Sequence, residues 1–374
     1  MWQAEARVDL AAISDNVTRL KPASGAELMA VVKADGYGHG MVPAARAALA
    51  GGATWLGVCT IEEALGLRAA GITVPVLAWL LAPGLELHRP VAADVDLSAA
   101  SVPLLDEITA AARQAGKTAR VHLKADTGLT RGGAAVADWP ALVEAAAKAQ
   151  ADGAIEVIGI WSHFAYADAP GHPTIARQIS GFGEALDVAA GFGVRPPYRH
   201  LANSAATLTL PQAHFDLVRP GISVYGYSPI PGTTAEYGLR PAMTLRARVM
   251  LAKRAPAGAG VSYGHTYHTE RETTVAVVPL GYADGISRAA SNAGPVQLGG
   301  KRRRIAGRVC MDQFAVDVGD DPVRAGDVAT VFGPGDDGEP TADDWADLLD
   351  TISYEIVTRV GQRVPRVHEP SEER

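Results

Sequence analysis

Short apolar runs alternate with alanine-rich stretches as far as Tyr227, and this alternation restricts the fold more than any other feature of the sequence. Eight such runs occur, at Leu28–Lys33, Trp55–Thr60, Val74–Leu80, Val95–Leu97, Arg120–Lys124, Val157–Ser162, His200–Asn203 and Leu217–Arg219. The intervening stretches have helical character, at Pro43–Ala50, Glu62–Ala70, Val102–Ala115, Trp139–Ala149, Ile175–Ala189 and, in a shorter form, Ala205–Leu210. Eight strand-then-helix units predict an α/β fold, a (β/α)8 TIM-type barrel. An open sheet that binds a dinucleotide is disfavoured, because no GxGxxG pattern follows any of the runs.

The alternation stops at a segment rich in proline, glycine and threonine, Tyr227–Leu239, which predicts a linker. Beyond it, strand-like segments occur at Thr244–Leu251, Thr274–Pro279, Arg304–Val309, Phe314–Val318 and Val328–Phe332. They predict a smaller, mostly-β C-terminal domain, with one helix capped by Thr341. We therefore predict a barrel over residues 9–235 and a β-rich domain over residues 236–374. Residues 1–8 are expected to add a strand to the second domain, and the charged end after Pro365 is expected to be frayed.

Charge and cysteine content exclude several classes of protein. The formal net charge is −7, which argues against general nucleic-acid binding, and the basic run Lys301–Arg304 predicts an exposed hairpin end. No apolar run approaches the roughly 18 residues needed to span a bilayer, and the first residues do not form a signal peptide. Cys59 and Cys310 form no CxxC pair, and the histidines form no metal motif. We expect a reduced, cytoplasmic protein without a metal site.

The predicted strand ends carry the candidate chemistry, because barrel enzymes build their active sites there. Lys33 ends the first run, either as a solvated lysine or as an amine that forms a Schiff base. After the seventh and eighth runs, Ser204 supplies a hydroxyl, and Gly221 and Ile222 supply backbone N–H groups that suit a phosphate. A phosphate site together with a strand-end lysine indicates pyridoxal 5′-phosphate as the cofactor.

The sequence resembles the alanine racemase family from about residue 4 to residue 367. Nine motifs carry the resemblance: AVVKADGYGHG at Ala30–Gly40, LKADTGLTR at Leu123–Arg131, SHFA at Ser162–Ala165, NSAA at Asn203–Ala206, RPGISVYG at Arg219–Gly226, VSYGHTY at Val261–Tyr267, GYADG at Gly281–Gly285, CMDQ at Cys310–Gln313 and SYEI at Ser353–Ile356. The resemblance implies a barrel that binds pyridoxal phosphate and a second, β-rich domain. One departure is Thr130, where members of the family often carry a different residue.

The resemblance also implies catalytic roles. Lys33 would hold the cofactor as a Schiff base and act as one base, and Tyr263 would be the opposite base, reaching the site from a partner subunit. Arg219 would donate to the pyridine nitrogen and leave it unprotonated, which limits side reactions. His163 would assist through Arg219, although a histidine at a strand end is otherwise often structural.

Further roles implied by the resemblance concern binding. Phosphate ligands would be Tyr37, Ser204, Gly221, Ile222 and Tyr354, and His163 and Asn203 would also line the cofactor. The substrate carboxylate would contact Arg131 and the Met311 backbone N–H, since an arginine fork matches a carboxylate. Supporting residues would be Lys124, either carbamylated or ion-paired, Tyr282 at a narrow entrance, and Asp312, which has a turn role as its alternative.

We therefore predict a cytoplasmic homodimer that interconverts L- and D-alanine and supplies D-alanine for peptidoglycan, with active sites shared between subunits. The principal alternative is a racemase of the same fold with broader amino-acid specificity. Retention of Tyr282 and Tyr354 favours small substrates. A decarboxylase is opposed by Arg219, since that class expects an acidic partner for the pyridine nitrogen. A non-enzymatic carrier of the cofactor is opposed by Tyr263 and the second domain.

Overall fold

Eight parallel strands form the sheet of the first unit, which comprises residues 14–36 and 44–239 in a computed structural model that describes residues 2–369. In spatial order the sheet runs β8-β7-β6-β5-β4-β3-β2-β9. Backbone hydrogen bonds from Asp216 N to Arg199 O (3.1 Å) and from Arg219 N to Ala202 O (2.9 Å) join its two ends, so the sheet closes. The strands are β2 (Glu27–Val31), β3 (Trp55–Val58), β4 (Val76–Ala78), β5 (Asp96–Ala99), β6 (Ala119–Lys124), β7 (Ile155–Trp161), β8 (Tyr198–His200) and β9 (Leu217–Val218).

Helices connect the strands around this unit, and six of them overlap the predicted alanine-rich stretches. They are α1 (Leu10–Leu20), the short turn α2 (Lys33–Tyr37), α3 (Met41–Ala50), α4 (Ile61–Ala69), α5 (His88–Ala92), α6 (Val102–Ala115), α7 (Trp139–Ala151), α8 (Pro173–Gly191) and α9 (Ser204–Thr209). Capping by side chains determines where several of these helices begin. Thr60 and Glu63 form a reciprocal capping box at α4, and the Ser101 hydroxyl caps α6.

The predicted fold class is confirmed, since all eight apolar runs contribute a barrel strand. The seventh run is displaced, however. Its strand ends at His200, and Leu201–Asn203 lies beyond it, because the Asn203 side chain caps α9 by accepting from Ala206 N (3.1 Å). An N-cap residue cannot also continue the ladder of a strand, so the strand stops before it.

The second unit, residues 1–13, 37–43 and 240–374, is mostly β-structure within its described part. A six-stranded sheet runs in the order β16-β15-β18-β10-β1-β19, beside a three-stranded sheet β11-β14-β17 and the pair β12-β13. The strands are β1 (Ala4–Asp9), β10 (Met243–Arg248), β11 (Leu251–Ala255), β12 (Gly260–Val261), β13 (Tyr267–His268), β14 (Thr273–Val278), β15 (Pro295–Leu298), β16 (Lys301–Arg304), β17 (Phe314–Gly319), β18 (Val328–Phe332) and β19 (Arg366–Glu369). Its helices are α10 (Ala342–Leu348), capped by Thr341, and α11 (Ser353–Thr358).

Two sequence predictions are wrong in this unit. The Arg304–Val309 segment is not a strand, since β16 ends at Arg304 and only Ile305 bridges to Val316. The described residues after Pro365, Arg366–Glu369, are not frayed, because they form β19, which pairs in parallel with β1. The part of the predicted second domain beyond Glu369, like Met1, lies outside the described residues. In the described part of the chain, no helix is both long and apolar enough to cross a bilayer.

Candidate active site

Lys33 follows the buried strand β2 and opens a turn with unusual backbone geometry. Ala34, Asp35 and Gly36 have φ values of 52°, 53° and 61°, and Tyr37 has 51°, so four consecutive residues lie in the left-handed region. Such a conformation costs about 1–2 kcal/mol for each residue other than glycine. The turn is closed by a hydrogen bond from Gly36 N to Val32 O of 2.9 Å. The half-buried Lys33 is thereby set at the start of a strained segment.

Glu63 anchors this turn, and the sequence predictions did not identify it. Its Oε1 accepts from Ala34 N at 2.7 Å, while Oε2 accepts from Cys59 N at 2.8 Å and Thr60 N at 3.1 Å. One carboxylate therefore ties the peptide after Lys33 to the end of β3. The TIEE sequence at 60–63, typical of a capping box, was the available signal, but it indicates only a helix start.

The loops after β8 and β9, where the sequence analysis expects a phosphate site, meet at Ser204. The buried Ser204 Oγ accepts from Gly221 N at 2.8 Å and lies 3.4 Å from Ser223 N. Ile222 begins a 3-10 helix, Ile222–Tyr225, whose first N–H groups point away from the helix body. The N-cap Asn203 lies directly before Ser204. This arrangement gathers backbone donors and one hydroxyl at a single point of the barrel rim.

Arg219 is buried at the end of β9 and is surrounded by neutral partners. Its Nη2 donates to Ser162 O at 2.8 Å, and its Nη1 donates to His200 Nδ1 at 3.1 Å. The guanidinium carbon lies 4.9 Å from the centre of the Trp161 ring. Among residues 2–369, no carboxylate forms an ion pair with it, and burial lowers the pKa of Arg219 to about 9.

Two further predicted residues, His163 and Lys124, interact electrostatically with this guanidinium. His163 Nδ1 lies 3.4 Å from Arg219 Nη2; burial, followed by the charges of Arg219 and Arg131, lowers the pKa of His163 to about 3. Lys124 is buried with its Nζ 4.4 Å from the Trp161 ring centre. Burial, followed by Arg219 and Arg131, lowers the pKa of Lys124 to about 8. The barrel rim thus concentrates positive charge and suits an anionic ligand.

The Arg131 loop is held by one carboxylate. Asp126 Oδ1 accepts from Gly128, Leu129 and Thr130 N–H groups at 2.9–3.1 Å. Thr130, the departure noted in the sequence, has a φ of 55°, and Arg131 itself is exposed. The loop therefore presents an arginine fork to solvent on a pinned backbone.

The remaining predicted residues belong to the second unit. The Tyr37 and Tyr354 rings lie 6.1 Å apart between centroids. Tyr263, Met311 and Tyr282 have exposed fractions of 72%, 53% and 45%. They lie on neighbouring loops, where Tyr282 N donates to Cys310 O at 3.0 Å and Ser262 Oγ lies 3.4 Å from Cys310 Sγ.

Two local features hold these loops. Gly281 allows the close approach, because a Cβ there would lie 2.2 Å from Met311 O. Asp312 binds Arg363 Nη2 at 2.8 Å. Three large exposed side chains and a fixed carboxylate therefore share one surface of this unit.

Comparison with known families identifies the family of this chain. Residues 8–229 match the family model described as alanine racemase, N-terminal domain, and residues 242–368 match that of the C-terminal domain. The chain belongs to the alanine racemase family. An alanine racemase from Salinispora arenicola is 70% identical over 370 residues, covering 99% of each chain, and one from Salinispora tropica is 69% identical with the same coverage.

Solved structures agree with the family assignment. The alanine racemase of Streptomyces coelicolor superposes with a TM-score of 0.97 at 57% identity, covering 99% of this chain and 98% of that one. The alanine racemase from a D-cycloserine-producing Streptomyces lavendulae gives 0.98 at 56% identity, covering 100% and 98%. The enzyme is accordingly an amino-acid isomerase with alanine racemase activity.

Proposed function

We propose that this alanine racemase works with pyridoxal 5′-phosphate bound at the barrel rim and with two bases, Lys33 and Tyr263. The observation that carries the proposal is Arg219, a buried guanidinium whose partners in the described chain are all neutral. Because arginine only donates, it suits a pyridine nitrogen that acts as an acceptor. The other rim residues fit the same cofactor. Lys33 offers an amine, and Ser204, Gly221 and Ile222 offer hydrogen-bond donors for a phosphate.

The phosphate would be held at the end of the barrel marked by Ser204. Gly221 and Ile222 lie at the N-terminus of the 3-10 helix Ile222–Tyr225, where the partial positive charge of the N–H groups favours an anion, and Ser204 Oγ lies 2.8 Å from Gly221 N. Tyr37 and Tyr354 would add hydroxyl donors. Asn203 and His163 would line the cofactor from the barrel side. His163 stays neutral above pH 5, in keeping with its lowered pKa, so it adds no charge there.

Racemisation requires a proton to leave one face of Cα and return on the other. Pyridoxal phosphate, when bound, supplies the electron sink that makes the α-hydrogen of alanine acidic. Lys33 Nζ would take or return the proton on one face, and the Tyr263 hydroxyl would do so on the opposite face. Glu63 would position Lys33 through its hydrogen bond with Ala34 N. Because one base lies on each face of Cα, the same pair can remove the α-proton from either enantiomer and return it on the opposite face.

Alanine would be bound through its carboxylate by Arg131 and the Met311 backbone N–H. Lys124 supports this role through its chemistry. A buried amine with a pKa near 8 is partly neutral near pH 8, and a neutral amine reacts with CO2 to form a carbamate. The carbamate would place a negative charge between Arg131 and the other cations of the rim. We propose that Lys124 is carbamylated and thereby positions Arg131.

A homodimer would bring Tyr263, Tyr282 and Met311 to the barrel of the partner subunit. Supporting this is their exposure, because large apolar side chains gathered on one surface are typical of an interface. Asp312, fixed by Arg363, would support the carboxylate end of the site. The Bacillus anthracis alanine racemase, 36% identical, was solved with bound L-Ala-P. We further propose a cytoplasmic enzyme whose D-alanine feeds peptidoglycan synthesis.

The variant Tyr263→Phe tests the two-base mechanism. We expect it to lose about 10³-fold or more in kcat, because one proton-transfer group is removed, while the visible absorbance of the bound cofactor stays. Tyr267→Phe is the matched control. Tyr267 lies four residues later, in β13, and its hydroxyl donates to Asp317 Oδ2 at 2.8 Å, so the control should stay active.

Full activity of Tyr263→Phe would contradict the two-base mechanism. Substrate range is measured separately, by racemisation of L-alanine, L-serine and L-lysine in parallel. Faster turnover of lysine than of alanine would favour the racemase of broader specificity.

A further inference from the structure

A chain of buried hydrogen bonds runs through the barrel interior to Arg219. His200 Nδ1 accepts from Arg219 Nη1 at 3.1 Å, and His200 Nε2 lies 2.9 Å from His122 Nδ1. His122 Nε2 lies 3.1 Å from Asp96 Oδ2. The three residues Asp96, His122 and His200 are fully buried. Sequence reasoning missed Asp96 and His122, and took His200 only as part of a strand.

The Arg219 guanidinium at one end of this chain and the Asp96 carboxylate at the other determine which ring nitrogen of each histidine carries the proton. Arg219 has only donors, so His200 Nδ1 must accept and its proton must sit on Nε2. His200 Nε2–H then donates to His122 Nδ1, which leaves the His122 proton on Nε2. That proton is donated to the Asp96 carboxylate. Each group therefore donates toward the anion, and both histidines are neutral.

Electrostatics support these protonation states. Burial, followed by the charge of Arg219, lowers the pKa of His200 well below its usual value. Burial alone would raise the pKa of Asp96, but hydrogen bonds with His122 and Arg120 outweigh it and lower that pKa. Arg120 holds the carboxylate with two hydrogen bonds, Nε to Oδ1 at 2.7 Å and Nη2 to Oδ2 at 3.1 Å. Asp96 therefore remains an anion at the far end of the chain.

The ring planes are fixed by aromatic neighbours. His200 lies parallel to Trp161, with an interplanar angle of 1° and centroids 5.8 Å apart. His122 meets His200 edge to face at 5.0 Å and Trp55 at 5.5 Å. Rotation of either imidazole would disturb this packing, so the ring nitrogens keep their partners.

The backbone is also shaped around the bond between the two histidines. The pairing of β6 with β7 shifts by one residue after Val121, so that His122 lies opposite Gly159. A Cβ on Gly159 would lie 2.3 Å from His122 Nδ1 and 3.0 Å from His200 Nε2. A bulge and a glycine together leave room for this one contact, which is a common use of bulges near active sites.

We propose that Asp96, His122 and His200 form a positioning relay that fixes the tautomer facing Arg219 and thereby orients its guanidinium for the cofactor. The catalytic part of this statement rests on the proposed contact between Arg219 and the pyridine ring. The tautomers do not depend on that contact. If the relay reversed, His200 would present an N–H to an N–H of Arg219, and the guanidinium would be displaced.

Histidine tautomers in the unaltered holoenzyme provide the first test. Nitrogen-15 NMR of the holoenzyme with labelled histidine reports which ring nitrogen carries the proton in each of the ten histidines. We expect His122 and His200 to be neutral with the proton on Nε2. A proton on Nδ1 of His200, or a charged His200, would overturn the relay. This measurement needs no variant and so does not depend on whether a variant folds.

The variant Asp96→Asn should reverse the relay. Arg120 requires an acceptor, so the amide oxygen of the new side chain faces Arg120 and its NH2 group faces His122. His122 and His200 should then both move their proton to Nδ1. We expect kcat to fall about 10- to 100-fold, the usual scale for losing a charge-assisted hydrogen bond, with an altered absorbance of the bound cofactor and a KM changed by less than about threefold.

Asp216→Asn is the matched control, because Asp216 holds Arg199 by the same two-bond geometry, at 2.7 and 2.9 Å, outside the relay. The control should keep both tautomers, the absorbance and kcat. Unchanged tautomers in Asp96→Asn, or equal losses of kcat in the two variants, would refute the proposal. Arg219→Gln separates the two hypotheses. If that variant leaves the cofactor absorbance unchanged, the proposed contact between Arg219 and the pyridine ring is wrong. The relay is still tested separately, by the histidine tautomers of the unaltered enzyme.

Discussion

Replacing Ala34 by glycine should stabilise the enzyme and at the same time slow racemisation. Ala34 has a φ of 52° in the left-handed turn after Lys33, and its side chain is exposed. An alanine in this conformation costs about 1–2 kcal/mol, which glycine does not pay. Glycine in turn loses about 0.5–1 kcal/mol more backbone entropy on folding. Since the exposed methyl group contributes no buried area, the expected net gain is about 0.5–1 kcal/mol.

The same substitution should lower kcat because it loosens the peptide that follows Lys33. The hydrogen bond from residue 34 N to Glu63 persists, so the loss should be modest, about 3- to 10-fold. Ala34→Val should act in the opposite sense on stability, because a β-branched residue at positive φ is strongly disfavoured. We expect that variant to lose about 1–2 kcal/mol.

Urea unfolding followed by tryptophan fluorescence measures the stability, and a polarimetric assay measures kcat. Asp350→Gly is the control, since Asp350 is exposed, has a φ of 51° and lies outside the candidate site. It should gain similar stability with unchanged kcat. Destabilisation of Ala34→Gly by 1 kcal/mol or more, on the scale expected when glycine replaces alanine in ordinary backbone, would refute the left-handed turn as a strained element.

Three further outcomes are expected. Ser204→Ala should weaken cofactor binding about tenfold in a titration of the apoenzyme, because the phosphate loses the Ser204 hydroxyl as a donor; unchanged affinity would argue against a phosphate site there. Lys124→Met should lose most activity and also the rise in stability between pH 8 and 10.5 expected in the wild type, where the unfolded lysine binds a proton that the folded one has released. With labelled bicarbonate, only the wild type should show a carbamate signal by carbon-13 NMR. His163→Gln should leave the acid limb of the activity profile between pH 5 and 7 in place, since His163, with a pKa of about 3, does not titrate there; loss of that limb would contradict this.

The barrel could be predicted from sequence because each strand is a short apolar run and most of the helices are alanine-rich stretches between these runs. The ends of strands that depend on a single polar side chain were harder to predict from the sequence. The seventh strand ends early because Asn203 caps a helix, and Arg366–Glu369 forms a strand because β1 offers an unpaired edge. Neither cause is visible in the composition of the segment itself.

Within the site, residues at strand ends could be identified, whereas residues that act from inside the barrel could not. Asp96 and His122 lie within apolar strands, where a polar residue is usually a satisfied core group. The sequence did carry a signal for these two residues, since an acidic residue begins the apolar strand β5 and a histidine interrupts the apolar strand β6. Their connection to Arg219 depends on a bulge at Gly159, which no local pattern encodes.

The position of β1 between β10 and β19 has a consequence for synthesis on the ribosome. Glu5 of β1 binds Arg246 of β10, a residue 241 positions later. At ordinary elongation rates of 5–20 residues per second, β1 emerges roughly 10–50 s before its partner. The strand must wait, unpaired, while the whole barrel is translated. Vectorial folding therefore favours a barrel that forms first, and a stalled or truncated nascent chain would expose β1 as an open edge for association with other chains.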